Sequence, residues 1–416
     1  FFVMQTDPED VFISINGRER GKTDRNKVYR YAPGVTIRAS LHYPTFETRQ
    51  MTINSRKAVY SVEMKRGYEK KFTCKGSIEC GLLLSRGNLY LGDSQGYMYS
   101  ITLDTFTNNW DGIERPFRIG IAGTPFLYRD IYYFGTERGD VAAFSRNGSN
   151  KKWPYPGKPG RRSAVVGFEA CENPIKMNEF LLFYATEKGD IFALDADTGV
   201  LKWNVSRVPG IESGLLVKGT ELYTGGNNGI IYGIDIFNPR NVKSVFQINV
   251  RKSICTGFTF IKNSALFFGA KDNRIYSIDI SGGLSRTAIK NSEFQTNDWV
   301  KASVYIHGGK VYCGSYDHHL YCLSLTDDFK MRKEWAFEAE DRIESQPVVS
   351  DGTVYFGDAS GTLYAVNTEG LSEHTDKVRP AWKYSTGGRI QTGLKTWKQY
   401  LLVPTREGII YGFKIK

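Results

Sequence analysis

Two adjacent histidines, His318 and His319, stand in the segment CGSYDHHLYC and are the side chains best suited to hold a metal ion or move a proton. A metal site needs more ligands, and no carboxylate or third histidine converges on this pair from the sequence; its setting reads as a hairpin turn. The six cysteines, Cys74, Cys80, Cys171, Cys255, Cys313 and Cys322, form no Cys-x-x-Cys and no zinc-like His/Cys spacing. No Ser/His/Asp arrangement, P-loop or glycine-rich phosphate cradle is visible. The sequence therefore offers no catalytic constellation.

A second group recurs with regular chemistry. Four short segments read alike: IEC at 78–80, IES at 211–213, IES at 343–345 and IQT at 390–392, which place Glu79, Glu212, Glu344 and Gln391 at equivalent points. Lys75, Arg251, Lys252, Lys301, Arg342 and Arg389 precede or join them, and the segment WPYPGKPGRR (153–162) adds Lys158, Arg161 and Arg162. Carboxylates and guanidiniums so placed can pair with each other or hold a partner bidentately. Both readings stay open: solvated lining with ion pairs between neighbouring units, or a partner-binding rim made of Glu79, Glu212, Lys301, Arg342, Glu344 and Arg389.

What positions these residues is a repeat. A pattern of aromatic–x–Gly, a tight turn, then apolar–aromatic–x–apolar occurs eight times, with anchors at Gly92, Gly135, Ala185, Gly225, Gly269, Gly314, Gly357 and Pro404. Spacings of 43, 50, 40, 44, 45, 43 and 47 residues suit a four-stranded unit. Four residues past the anchor stand Gly96, Gly139, Gly189, Gly229, Asn273, His318, Gly361 and Gly408. A type I′ two-residue hairpin needs positive φ there. With Asp317-His318 as the turn, Cys313 falls opposite Cys322; their expected Cβ separation favours two reduced, buried thiols over a bridge. Cys74 and Cys80 form the second pair that could bridge. Aromatics at two before and seven after the anchor, among them Tyr90, Tyr312, Tyr99 and Tyr321, are placed to pack between units.

Five repeats add a tryptophan farther on: Trp110, Trp153, Trp203, Trp335 and Trp382. The third reads ALDADTGVLKW (193–203) and resembles the A-x-D-x-x-x-G-x-x-x-W docking motif of pyrroloquinoline-quinone (PQQ)-type propellers. That resemblance, over 68–416, implies an eight-bladed β-propeller whose tryptophans dock blade on blade, in a family that includes quinoprotein alcohol dehydrogenases and BamB-type envelope lipoproteins. The eighth repeat stops after its third strand, and 68–76 (YEKKFTCKG) aligns with the outer strands WAFEAED and WKYSTGG. The strand near Phe72 should therefore complete blade eight and close the ring. In such a propeller the connectors share a face with the hairpins around the mouth of a central channel. The resembled dehydrogenases carry an adjacent Cys-Cys pair and Glu/Asn/Asp ligands for calcium. No adjacent cysteines exist here, so neither cofactor, metal nor catalysis is expected.

Residues 7–66 alternate apolar and polar over short strands, DVFISING, PGVTIRASL (33–41), QMTINS (50–55) and AVYSVEM (58–64). With Pro8-Glu9-Asp10-Val11, Asn16-Gly17 and Pro33-Gly34, this stretch resembles a PEGA domain, which implies a small β-sandwich with an adhesion or spacer role. The division is thus 1–67, a β-sandwich, and 68–416, the propeller: an all-β chain.

The composition agrees. Of 416 residues, 43 are Gly, 25 Tyr and 25 Phe, a bias toward turns and half-buried pleated surface. Net charge is +11 and spread along the chain, which permits contact with anionic lipid, polysaccharide, nucleic acid or acidic protein but is most simply diffuse solvated charge. No apolar run reaches transmembrane length. The chain opens at Phe1, as a mature or trimmed product would, so any export signal or lipid-anchor cysteine would lie upstream. The expectation is a monomeric, non-catalytic scaffold outside the cytoplasm, associated with the periplasm or outer membrane. It would bind an envelope protein rather than nucleic acid and could serve outer-membrane assembly; a sensor or ligand-binding module and a PQQ dehydrogenase are the alternatives.

Overall fold

A computed structural model describes residues 68–415 except 111–118, 149, 152–162, 173–175, 177–178, 249–251, 263 and 376, together with seven strands within 1–67. Trp153, Lys158, Arg161, Arg162 and Arg251 lie outside the described residues, as do the motifs at 8–11, 16–17 and 33–34.

Between Lys70 and Lys414 the chain forms eight four-stranded antiparallel sheets, each running from an inner to an outer strand. Blade 1 comprises Leu83–Ser85, Asn88–Gly92, Met98–Thr102 and Thr107–Asn108. Blade 8 takes three strands from the C-terminal end and its fourth, Lys70–Thr73, from the start of the repeat region, with Phe72 opposite Ile410. The ring closes as expected, and the seam covers the outer side of the third strand of blade 8, Ile409–Lys414. Within 1–67, Phe2–Asp7 pairs with Val28–Tyr29 and runs parallel to Val59–Glu63, and Phe12–Ile15 joins a four-stranded sheet with Arg18–Lys22, Thr36–His42 and Arg49–Asn54. Phe12–Ile15, Thr36–His42, Arg49–Asn54 and Val59–Glu63 overlap the four stretches marked by the alternation, whereas Phe2–Asp7, Arg18–Lys22 and Val28–Tyr29 lie outside them.

The hairpin at each anchor departs from expectation in one respect. All eight residues four past the anchor have positive φ, from 67° at Asn273 and 68° at His318 to 90° at Gly361. The loop, however, holds three residues rather than two: beyond the Gly314–Leu320 and Gly92–Met98 pairs, Ser315 and Asp93 donate their N–H groups to the His319 and Tyr97 carbonyls, leaving 316–318 and 94–96 as the loops. A three-residue loop ends on a left-handed residue just as type I′ contains one, so the same glycine signal fits both. The register consequently shifts by one. Cys313 stands opposite Tyr321, and Cys322 opposite Tyr312, so the two thiols are not a cross-strand pair. They lie in different core clusters, Cys313 between blades 5 and 6 and Cys322 between blades 6 and 7. All six cysteines are free thiols, Cys74 and Cys80 included.

Packing between blades explains the anchor glycine, whose φ is not left-handed. A Cβ at Gly92, Gly269, Gly314 or Gly357 would lie 2.3–2.4 Å from Ile121, Val300, Ile343 or Ile390, the β-branched residue on the connector into the next blade. The Ile of the Ile-Glu-Cys/Ser motif is thus the wedge between blades. The residue two further on serves the anchor's backbone. Ser213, Thr256 and Ser345 each accept the anchor N–H through their hydroxyl and donate back to its carbonyl, and Cys80 does the same with Gly92 at 3.3 and 3.2 Å. Tyrosines seven past the anchor donate to hairpin carboxylates, Tyr99 to Asp93 at 2.7 Å, Tyr321 to Asp317 at 2.7 Å and Tyr364 to Asp358 at 2.9 Å, so buried phenols are satisfied. Trp110 docks as its motif implies: its indole N–H reaches the Arg146 carbonyl of blade 2 at 3.2 Å. Trp335 is buried with Val354 and Phe356 of blade 7.

Candidate functional site

Each second-to-third-strand hairpin lies against the connectors on either side. The first loop residue donates its N–H to the connector entering its own blade, as in Ser94 to Ser77, Glu137 to Gly120, Lys271 to Ser253 and Arg406 to Arg389. The wedge residue of the following connector donates back to the hairpin, as in Ile121 to Asp93, Ile343 to Ser315 and Ile390 to Asp358. Hairpins and connectors therefore form one rigid face, the one expected to carry the site.

On this face opens a cavity of about 1130 Å³ whose lining includes Glu79, Glu137, Glu187, Glu212, Lys188, Lys271 and Lys301. Acids come from blades 1 to 4 and most of the cations from blades 5 and 6. Glu79 pairs with Arg406 at 3.1 Å, and Glu212 with Lys271 at 2.9 Å. Burial, then the neighbouring Glu212 and Glu137 charges, push the Glu187 carboxyl above its usual range. Lys301 is exposed at the rim.

Beside this cavity three further predicted residues meet. Glu344, with only 8% of its side chain exposed, pairs with Arg342 at 3.2 Å, with Arg389, and accepts the Tyr316 hydroxyl. Burial alone would raise its carboxyl, but the hydrogen bonds from Arg389 and Tyr316 outweigh that and hold it below the ordinary carboxylate range. Arg389 is largely spent on this contact, and its buried Nε has no partner. Arg342 also lies 5.1 Å over the Tyr316 ring, which stands 5.9 Å from Trp299, and Lys271 lies 5.6 Å from Trp299. Trp299, 43% exposed, is thus an aromatic platform between Lys271 and Tyr316.

Sequence reasoning placed all six candidate residues on one face: Glu79, Glu212 and Lys301 at the cavity, and Arg342, Glu344 and Arg389 in a cluster beside it. It missed Trp299 and the hairpin members Glu137, Glu187, Lys271, Tyr316 and Arg406, all two past an anchor. That offset was the available signal. Gln391, Lys75 and Lys252 join neither group of contacts.

The remaining candidates resolve as architecture. His318 fills the left-handed hairpin slot, and the His319 ring contacts the Asp317 carbonyl at 2.8 Å and stacks on Tyr321. Among the described residues no three His, Cys, Asp or Glu side chains are placed to hold a metal ion. The adjacent cysteine pair of the resembled dehydrogenases has no counterpart in this sequence. No helix among the described residues is long and apolar enough to cross a membrane.

A family model described as outer membrane protein assembly factor BamB matches residues 68–245 and 168–333. Among solved structures, the chain is similar to the computationally designed Ika8 protein (TM-score 0.63, 15% identity, covering 82% of this chain and 98% of that one). It is similar to BamB from Moraxella catarrhalis (TM-score 0.61, 16%, covering 83% and 99%) and to quinohemoprotein alcohol dehydrogenase from Comamonas testosteroni (TM-score 0.60, 13%, covering 84% and 76%). At such identities the likeness is one of fold. No curated protein gives a significant sequence match.

Proposed function

The chain belongs to the BamB family of propellers, and we propose that it is a non-catalytic scaffold of the bacterial cell envelope that captures a protein partner on its mouth face. The observation that carries this reading is the exposed Trp299, held between Lys271 and Tyr316 beside a charged cavity on a face pinned by backbone hydrogen bonds. Tryptophan, tyrosine and arginine dominate the binding energy of protein interfaces, and loops on a rigid scaffold commonly carry recognition. Acids on one side of the cavity and lysines on the other would orient a partner of complementary charge. Extracytoplasmic placement and a part in outer-membrane assembly follow from the family's description and are part of the proposal. So is a spacer role for a PEGA-like module within 1–67.

Immobilised protein exposed to envelope extract tests it. Wild type should retain a defined envelope protein, and Trp299→Ala combined with Lys301→Glu should lose it without a change in melting temperature. Retention by the double variant would exclude this face. Dye-linked alcohol oxidation with added PQQ and calcium should show no turnover; turnover would favour the dehydrogenase alternative.

A further inference from the structure

We propose a second working surface: the outer corners of blades 3, 4 and 5 dock onto an anionic lipid surface. A corner is the turn from the third strand of a blade into its fourth, and third strands begin at the mouth-face hairpins, so their far ends point away from that face. In blade 3 the corner joins Ile191–Asp195 to Leu201–Val205, in blade 4 Ile230–Asp235 to Val242–Gln247, and in blade 5 Arg274–Asp279 to Ile289–Gln295. Val200, Phe237 and Ile289 stand at these corners with 52%, 41% and 53% of their surface exposed.

A single exposed apolar residue needs no explanation. Three on successive corners do, because the third-to-fourth-strand corners of neighbouring blades lie at the same end of the ring, where one surface laid against that end meets all three corners. The corners are built to present these residues. Asp195, Asp235 and Asp279, which end the third strands, each turn their carboxylate back onto corner N–H groups, of Thr198 at 2.9 Å, Phe237 at 2.9 Å and Ser281 at 2.7 Å. These three acids are thereby folded onto the backbone, and Asp197, the exposed acid of the blade 3 corner, is paired with Arg129 at 3.2 Å.

Charge identifies the occupant. Lys218 and Lys243 spend their ammonium groups on the carbonyls of Ile280 and Leu284 rather than on carboxylates. Arg240, three residues from Phe237, forms no ion pair among the described residues. Separate apolar tips with under-neutralised cations between them suit a soft anionic headgroup layer, where tips enter the boundary and cations meet phosphates. A protein partner would call for a continuous apolar core.

Flotation of the full chain with liposomes tests this. Wild type should co-float with phosphatidylglycerol/phosphatidylethanolamine vesicles, far less with phosphatidylcholine vesicles, and less as salt rises. Phe237→Ser with Ile289→Ser should lower the floated fraction at least about fivefold with unchanged melting, and Arg240→Glu should weaken binding only to the anionic vesicles. A Phe237→Trp reporter should blue-shift its emission on binding. Absence of flotation by wild type would overturn the proposal and leave these corners to a protein or to no partner. Undiminished flotation of the Phe237/Ile289 variant would overturn it too, by assigning lipid contact to another part of the chain.

Discussion

Arg389, on the connector into blade 8, holds Glu344, on the connector into blade 7, in an ion pair from which the carboxylate has little access to water. Removing one member of such a pair leaves the other charge buried, which costs about 3–5 kcal/mol when both are fully desolvated and less here, because Arg389 is 24% exposed. Arg389→Glu should therefore lower stability by about 1–3 kcal/mol in urea unfolding. Arg342→Ala, whose guanidinium is 40% exposed, should cost under about 1 kcal/mol. Because the folded state depresses the Glu344 carboxyl, its contribution is present above the unfolded value and is lost as pH falls through the folded one. Glu344→Gln should accordingly flatten the acid side of the stability profile.

Glu169 should work in the opposite sense. It lies on the innermost strand of blade 3 opposite Phe183, and Lys395 occupies the corresponding register in blade 8 opposite Leu402. Burial pushes the Glu169 carboxyl up from 4.5 to about 7 and pushes the Lys395 ammonium down. The native state then binds more protons than the unfolded chain between about pH 4.5 and 7, so stability falls as pH rises through that window and levels off above it. Glu169→Gln should remove this fall, on the order of 1–3 kcal/mol, in melting curves recorded from pH 4 to 8. An unchanged slope would show that the carboxylate is solvated in the folded protein.

Cys80 behaves as a serine surrogate toward the Gly92 backbone, and burial pushes its thiol up to about 11. Cys80→Ser should be tolerated, since blades 4 and 7 use Ser213 and Ser345 in the same way. Cys80→Ala would orphan a buried N–H and C=O and should cost about 1–3 kcal/mol. Native-state alkylation should leave Cys80 unmodified, and peptide mapping without reductant should recover neither a 74–80 nor a 313–322 bridge.

These cases mark how far the sequence could be read. The eight anchors, the positive-φ slot and the closing strand at Phe72 were legible because each repeats a local backbone demand. The hairpin length was not, since a left-handed residue ends a three-residue loop as readily as it sits in a type I′ turn; that ambiguity moved Cys322 from Cys313 to Tyr312. The platform at Trp299 was hidden for another reason. Its partners Lys271 and Tyr316 occupy a loop position that imposes no residue type, so only the approach of blades 5 and 6 brings them together.

Ring closure makes a prediction about truncation. A chain beginning at residue 68 keeps Lys70–Thr73 paired with the third strand of blade 8, whereas one beginning at residue 80 leaves that strand as an open edge. The shorter chain should melt earlier and aggregate at lower temperature by light scattering. Equal behaviour would mean that the seam contributes little.

The last prediction concerns the wedge. At Gly314 a methyl group would sit 2.3 Å from Ile343 Cγ2 and 3.0 Å from the Ile343 carbonyl oxygen, so neither partner can be avoided by rotating a side chain alone. Gly314→Ala should cost about 1–3 kcal/mol, the usual penalty of overpacking. At an ordinary strand position the same change would gain stability by restricting the unfolded chain. Blade 3 shows that a methyl is not forbidden in principle, because Ala185 and Ile211 share one core cluster there. The cost at Gly314 should therefore depend on Ile343 specifically. In a double-mutant cycle, Ile343→Ala removes Cγ2 and should make Gly314→Ala cheaper by at least about 0.5 kcal/mol. Additive effects in urea unfolding would show that the blades separate slightly to admit the methyl, and that the anchor glycine answers to something other than the wedge.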